Sequence, residues 1–161
     1  MVDEEIDRWL TEQLPGRFIV VIPGSSARHP EKRWPGYAAL AAMLIDDGYQ
    51  VVTVPGPDEL ELSRTIPGTT ITGTGPYLNY FGLAAVLNRA AFVIGNDTGP
   101  SHLAAHLGIP GLALFGGAHS PASTGIERER FSALQVDRLN LLDPATVYER
   151  VRALIARHQV G

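Results

Sequence analysis

The amino-acid sequence predicts an α/β domain built on a parallel sheet with helices on both faces. Three observations carry this: short apolar runs alternate with helical patterns almost from end to end, those runs show no inside–outside alternation, and turn residues separate them. A strand buried on both faces needs apolar side chains on each, which gives continuous rather than alternating runs. At 161 residues the chain fits one domain, which can bury roughly 70% of its unfolded surface.

Each element has a local reason. Residues 2–13 read as a short acidic, amphipathic helix closed by Pro15-Gly16. Residues 18–22 form the first strand, ending at Pro23-Gly24. Trp34 and Pro35 read as a packing plug that anchors an Ala/Leu helix over 37–47, stopped by Gly48. Residues 50–54 are the second strand, broken by Pro55-Gly56-Pro57, and Asp58 caps a short helix to about Ile66. A brief strand over 69–72, a helix over 80–89 and a strand over 91–94 follow. Residues 111–115 are the next strand, 116–130 a surface loop, and 134–136 the last strand. Asp143-Pro144 sets a capping residue before a proline at the first helical position, opening a helix to about His158.

Composition narrows the function. A net charge of −4 argues against nucleic-acid binding, which shows a basic face. The absence of cysteine excludes disulfides, thiolate metal sites and cysteine nucleophiles, and fits a reducing compartment. The first 13 residues lack the apolar core of a signal peptide. No run approaches the ~20 apolar residues of a membrane span, so any membrane contact is expected to be peripheral.

The most informative segment is Asp97-Thr98-Gly99-Pro100-Ser101-His102. A strand that breaks into a polar turn and re-enters as a helix leaves N–H groups unpaired at the helix start. With the positive end of the helix dipole, they favour an anion. A capping role explains Asp97 or Thr98 alone, but not Gly99, Pro100 and His102 together. Ligands of open α/β sheets bind at the carboxyl ends of strands, where a second polar loop, residues 23–35, also sits. It offers the hydroxyls of Ser25 and Ser26 and the cations Arg28, Lys32 and Arg33, although such a loop is as readily a solvated basic surface. Both loops can face one phosphate-bearing ligand. The first loop lacks the Gly-Lys-Ser/Thr spacing of a P-loop, which argues against a nucleotide triphosphatase. His102 and His106 lie one turn apart without a glutamate between them or a third ligand, so no metal is expected. Asn96-Asp97-Thr98 matches a glycosylation sequon that has no meaning without a secretory signal, and Gly73-Thr74-Gly75 is only a fragment of a dinucleotide fingerprint.

Three signatures occur in order: Pro23-Gly24-Ser25-Ser26 with Lys32-Arg33-Trp34-Pro35; Val54-Pro55-Gly56-Pro57-Asp58-Glu59; and Asp97-Thr98-Gly99-Pro100-Ser101-His102-Leu103-Ala104-Ala105 through Leu114-Phe115-Gly116. Over about residues 18–116 the chain resembles the C-terminal half of the ADP-heptose:lipopolysaccharide heptosyltransferases, glycosyltransferase family 9. The resemblance implies a GT-B architecture, in which two Rossmann-like domains face each other across a cleft, with this chain as the donor-binding, three-layer α/β/α half. Residues 1–16 would be a linker helix and 17–161 the donor domain, while the N-terminal acceptor domain, which supplies the base, would be a separate partner.

The resemblance also assigns roles. Ser25 and Ser26 would contact the donor diphosphate, and Lys32 the phosphates, neutralising the leaving group. Thr98, Gly99 and His102 would bind the diphosphate, with Asp97 nearer the sugar; Lys32 and Asp97 count as catalytic. Leu78 would lie against the base, and Glu59 or Asp58 would meet the ribose. The chain departs from the family pattern at Gly116-Gly117-Ala118-His119, which replaces a Gly-Pro-Thr type turn, and over 77–81, which is bulkier and more aromatic. The implied function is metal-free, inverting transfer of heptose or a similar sugar from ADP-heptose to a lipid-linked lipopolysaccharide core, with no cofactor beyond the nucleotide-sugar substrate. The implied place is the cytoplasm, at the inner face of the inner membrane, and the chain alone would be inactive. Alternatives are a non-catalytic nucleotide-binding module or half of a GT-B nucleotide-sugar epimerase.

Overall fold

The computed structural model describes residues 3–24, 33–56, 59–73, 75, 77–117 and 125–158. Among these, six strands form one sheet: β1 (Phe18–Ile22), β2 (Gln50–Thr53), β3 (Thr69–Thr70), β4 (Ala90–Asn96), β5 (Gly111–Gly116) and β6 (Phe131–Val136). Their order is β3-β2-β1-β4-β5-β6 and every neighbouring pair is parallel. The chain winds outward from β1 to β3, then crosses back to the other side of β1 to lay down β4. That reversal leaves a crevice between the carboxyl ends of β1 and β4.

The helices are α1 (Glu4–Gln13), α2 (Tyr37–Asp46), α3 (Leu60–Arg64), α4 (Tyr80–Arg89), α5 (Gly99–His106) and α6 (Pro144–Arg157). The side chains of β1 divide by the pleat. Phe18, Val20 and Ile22 join Leu10 and Leu14 from the α1 region, Val86 and Leu87 of α4, and Ala104 and Ala105 of α5. Ile19 and Val21 join Leu40 and Leu44 of α2 and Val151 and Ile155 of α6 on the opposite face. All five β1 residues are therefore buried, as the unbroken apolar run requires. The leading helix α1 is integral to this core: Asp7 pairs with Arg89 of α4 at 2.7 Å, and Leu10 is fully buried.

Element positions agree with the sequence reading, with local differences. Strand β6 starts at Phe131 rather than Leu134, because Phe131 pairs with Gly111 and fills the space that glycine leaves. A Cβ on Gly111 would collide with the Phe131 ring and lie 2.6 Å from the Val93 carbonyl oxygen. The segment read as a surface loop contributes Ile126 to the core, and Arg128 bridges to Phe131. Gly48 takes φ +96°, the left-handed conformation that ends α2. Asp143 caps α6 by accepting from the Ala145 amide at 3.2 Å. Asp58, expected to cap α3, lies outside the described residues; Glu59 stands at that cap, its carbonyl accepting from the Ser63 amide at 3.0 Å and its side chain making no capping bond.

Trp34 and Pro35 divide the role expected of both. Pro35 is exposed, whereas Trp34 is buried, packs edge-on against Tyr37 at 4.9 Å and donates from Nε1 to the Leu142 carbonyl at 3.0 Å. It thereby ties the start of α2 to the entry of α6. Among the described residues no helix is long and apolar enough to cross a membrane.

Two stability outcomes follow from this packing. Trp34→Ala should destabilise the fold by about 3–5 kcal/mol, the usual cost of emptying a large aromatic site. Gly111→Ala should cost about 1–3 kcal/mol by overpacking. Urea unfolding of each variant checks both; a change within 0.5 kcal/mol, typical of surface substitutions, would contradict the assignment.

Candidate functional site

Three strand ends meet at the crevice. The first, at β1, is Pro23-Gly24, both buried. The second is Asn96, the last residue of β4 and fully buried. Its Nδ2 donates to the Pro23 carbonyl at 3.0 Å and the Gly24 carbonyl at 3.3 Å, and its Oδ1 accepts from the Tyr37 hydroxyl at 2.8 Å. Burial raises the Tyr37 pKa well above its ordinary value, so the hydroxyl keeps its proton and acts as donor. Gly95 brings the strands close: a Cβ there would lie 2.6 Å from Ser101 Oγ and 2.9 Å from Ile22 Cβ.

The third end belongs to β2. Glu59 accepts at Oε1 from the Gly56 amide at 2.7 Å, and its carboxylate lies over Gly24, where a Cβ would collide with it. The expected ribose contact therefore stands at the margin of the crevice, between the ends of β1 and β2.

Beyond Asn96 the chain turns into α5. Thr98 is its N-cap but its side chain takes no backbone N–H of the helix; its Oγ1 donates instead to Ser101 Oγ, within α5, at 3.3 Å. Thr98 thus supplies no side-chain cap to α5, and the dipole's positive end faces the crevice mouth. Gly99 is exposed, its φ lies outside the left-handed region, and a Cβ on it would meet nothing within 4 Å. Neither backbone strain nor packing against the described residues calls for glycine at this point. His102 Nε2 lies 2.9 Å from Asp97 Oδ1. Asp97, expected nearer the sugar, has its side chain only 9% exposed and turned to this imidazole.

The structure thus brings Glu59, Asp97, Thr98, Gly99 and His102 around one crevice. Leu78 lies farther along, lining a cavity of about 450 Å³ between α1 and residues 70–73 with Ile6, Trp9 and Tyr77. Ser25, Ser26 and Lys32 lie outside the described residues, as do Ala118 and His119 of the unusual turn. The sequence reading missed Asn96 and Tyr37, taken as part of a sequon and as a helix start. A polar residue closing an otherwise apolar strand was the available signal for Asn96.

The profile of Glycosyltransferase family 9 (heptosyltransferase) matches residues 4–142. Lipopolysaccharide heptosyltransferase 3 of Escherichia coli is 31% identical over 110 residues, 62% of this chain and 31% of its own length. The structure of E. coli ADP-heptose lps heptosyltransferase II matches at TM-score 0.81 and 24% identity, over 99% of this chain and 54% of that one. E. coli heptosyltransferase WaaC with ADP-2-deoxy-2-fluoro heptose matches at TM-score 0.72 and 25% identity, over 94% and 48%. The chain spans less than a third of the length of the curated relatives it matches. With a profile match over most of its length, the chain belongs to glycosyltransferase family 9, the heptosyltransferases.

Proposed function

We propose that this chain is the donor-binding half of an inverting heptosyltransferase, holding ADP-heptose or a similar nucleotide sugar for transfer to a lipopolysaccharide core acceptor. The observation that carries the reading is the crevice between β1 and β4, walled by the start of α5, to which Thr98 supplies no side-chain cap, and by Asn96-bound strand ends. One solved relative, E. coli heptosyltransferase WaaC, is a complex with ADP-2-deoxy-2-fluoro heptose, which supports a nucleotide diphosphate as the ligand class.

In the reaction, an acceptor hydroxyl attacks the anomeric carbon and the bond to the diphosphate oxygen breaks, its electron pair passing to the phosphate. The hydroxyl proton leaves to a base on the second domain. Charge grows on the departing phosphate, so donors fixed beforehand lower the barrier most in the transition state. The start of α5, His102, Ser25, Ser26 and Lys32 fill that role. Lys32 is the catalytic cation, and Asp97 holds the His102 ring as a positioning residue. Glu59 receives the ribose hydroxyls and Leu78 lies towards the base. No metal takes part. The partners are the second domain and a lipid-linked saccharide, which the enzyme meets as a peripheral protein at the cytoplasmic face of the inner membrane.

Hydrogen bonds to charged groups are each worth about 1.5–3 kcal/mol, about tenfold or more in affinity. Calorimetric titration should accordingly show His102→Ala and Lys32→Ala weakening both ADP and pyrophosphate by at least tenfold. Glu59→Ala should weaken ADP and leave pyrophosphate unchanged; equal losses for the two ligands would remove Glu59 from the ribose. Gly99→Ala separates fold from ligand. Its thermal midpoint should hold or rise, because alanine suits this helical position, while ADP affinity falls. A lowered midpoint with unchanged affinity would give Gly99 a structural role only.

A further inference from the structure

From the Tyr37–Asn96 pair we infer a two-point clamp, whose members act as positioning residues for the phosphate-binding crevice; this deepens the donor-site reading above and rests on it. Asn96 is buried with all three of its available groups engaged. Both Nδ2 hydrogens hold the last carbonyls before Ser25, and Oδ1 takes the Tyr37 hydroxyl. The two carbonyls only accept, so they hold the Nδ2 side of the amide, and Oδ1 is left to receive the Tyr37 O–H, which completes the set. Both ends of the loop bearing Ser25, Ser26 and Lys32 are therefore anchored through one pair. Its entry, Pro23-Gly24, is fixed by the Asn96 amide. Its exit, Trp34, packs edge-on against the Tyr37 ring at 4.9 Å.

The same Asn96 leads directly into Asp97 and Thr98. A single side chain thus sets the separation between the β1 exit and the start of α5, the two walls that must grip one diphosphate. An apolar residue in its place would continue a strand whose other six residues are buried without such bonds to the loops. A buried polar side chain is costly unless fully bonded, so its use here at the crevice, rather than in mid-strand, matches a positioning role.

The test is Tyr37→Phe, which keeps the ring and its packing on Trp34 and removes only the hydroxyl. Asn96→Asp is the second variant, since its carboxylate only accepts hydrogen bonds and would face two carbonyl oxygens. Two readouts are taken on the protein: ADP affinity by calorimetry and amide hydrogen exchange along the chain. For Tyr37→Phe the thermal midpoint should fall by only a few degrees, the effect of one lost buried bond. ADP should bind about fivefold to tenfold more weakly, on the scale of that same bond. Exchange should rise selectively at Gly24 and over 97–101, and Asn96→Asp should exceed both effects. Unchanged affinity, with exchange either unaltered or raised evenly over the sheet, would overturn the clamp. Should the parent protein bind no ADP, the donor reading fails by itself, and exchange alone then decides: selective opening at both walls supports the clamp, any other pattern refutes it.

Discussion

One buried amide governs how the working end of this molecule is assembled. Asn96 closes the central strand β4 and bonds to both peptide carbonyls at the exit of its neighbour β1. Carbonyl groups at the end of a parallel strand have lost their ladder partners and need others when buried. Asn96 meets that need from within the sheet, so the two strand ends are fixed to each other. Because it is also the residue before the Asp97 turn, the same bonds set the place from which α5 starts.

The surrounding structure is arranged so that this amide can be buried. Gly95 lets β4, β1 and Ser101 approach more closely than any side chain would allow. Tyr37 reaches under the crevice from the opposite helical layer, and Trp34 locks that tyrosine while donating to Leu142. Residues more than a hundred positions apart in sequence are therefore joined through two aromatic rings. The path from Leu142 to Gly24 starts within one apolar layer, through Trp34 and Tyr37, and reaches the sheet at Asn96.

Against this fixed base, the groups facing outward are few and chemically distinct. Thr98 supplies no side-chain cap to α5, Gly99 leaves open space, and His102 is held by Asp97. Glu59 stands on the opposite margin, supported by the Gly56 amide. An anion-favouring helix end beside a carboxylate suits a ligand that is phosphate at one end and hydroxyl-rich at the next. In the proposed function that ligand is a nucleoside diphosphate.

The sequence by itself determined the α/β class, since period and punctuation are local properties: unbroken apolar runs, Gly48 after α2, Asp143-Pro144 before α6. It also exposed the Asp97–His102 turn, because that segment carries more polar types at a strand end than a cap uses. Only the tertiary structure decided which strand ends share the crevice, for strand order depends on contacts between residues distant in the chain. It likewise assigned Asn96 to the β1 carbonyls, Glu59 to Gly24, and Ile126 to the core rather than the surface. Each of these rests on a partner far away in sequence, and no local pattern of residue types encodes such a partner.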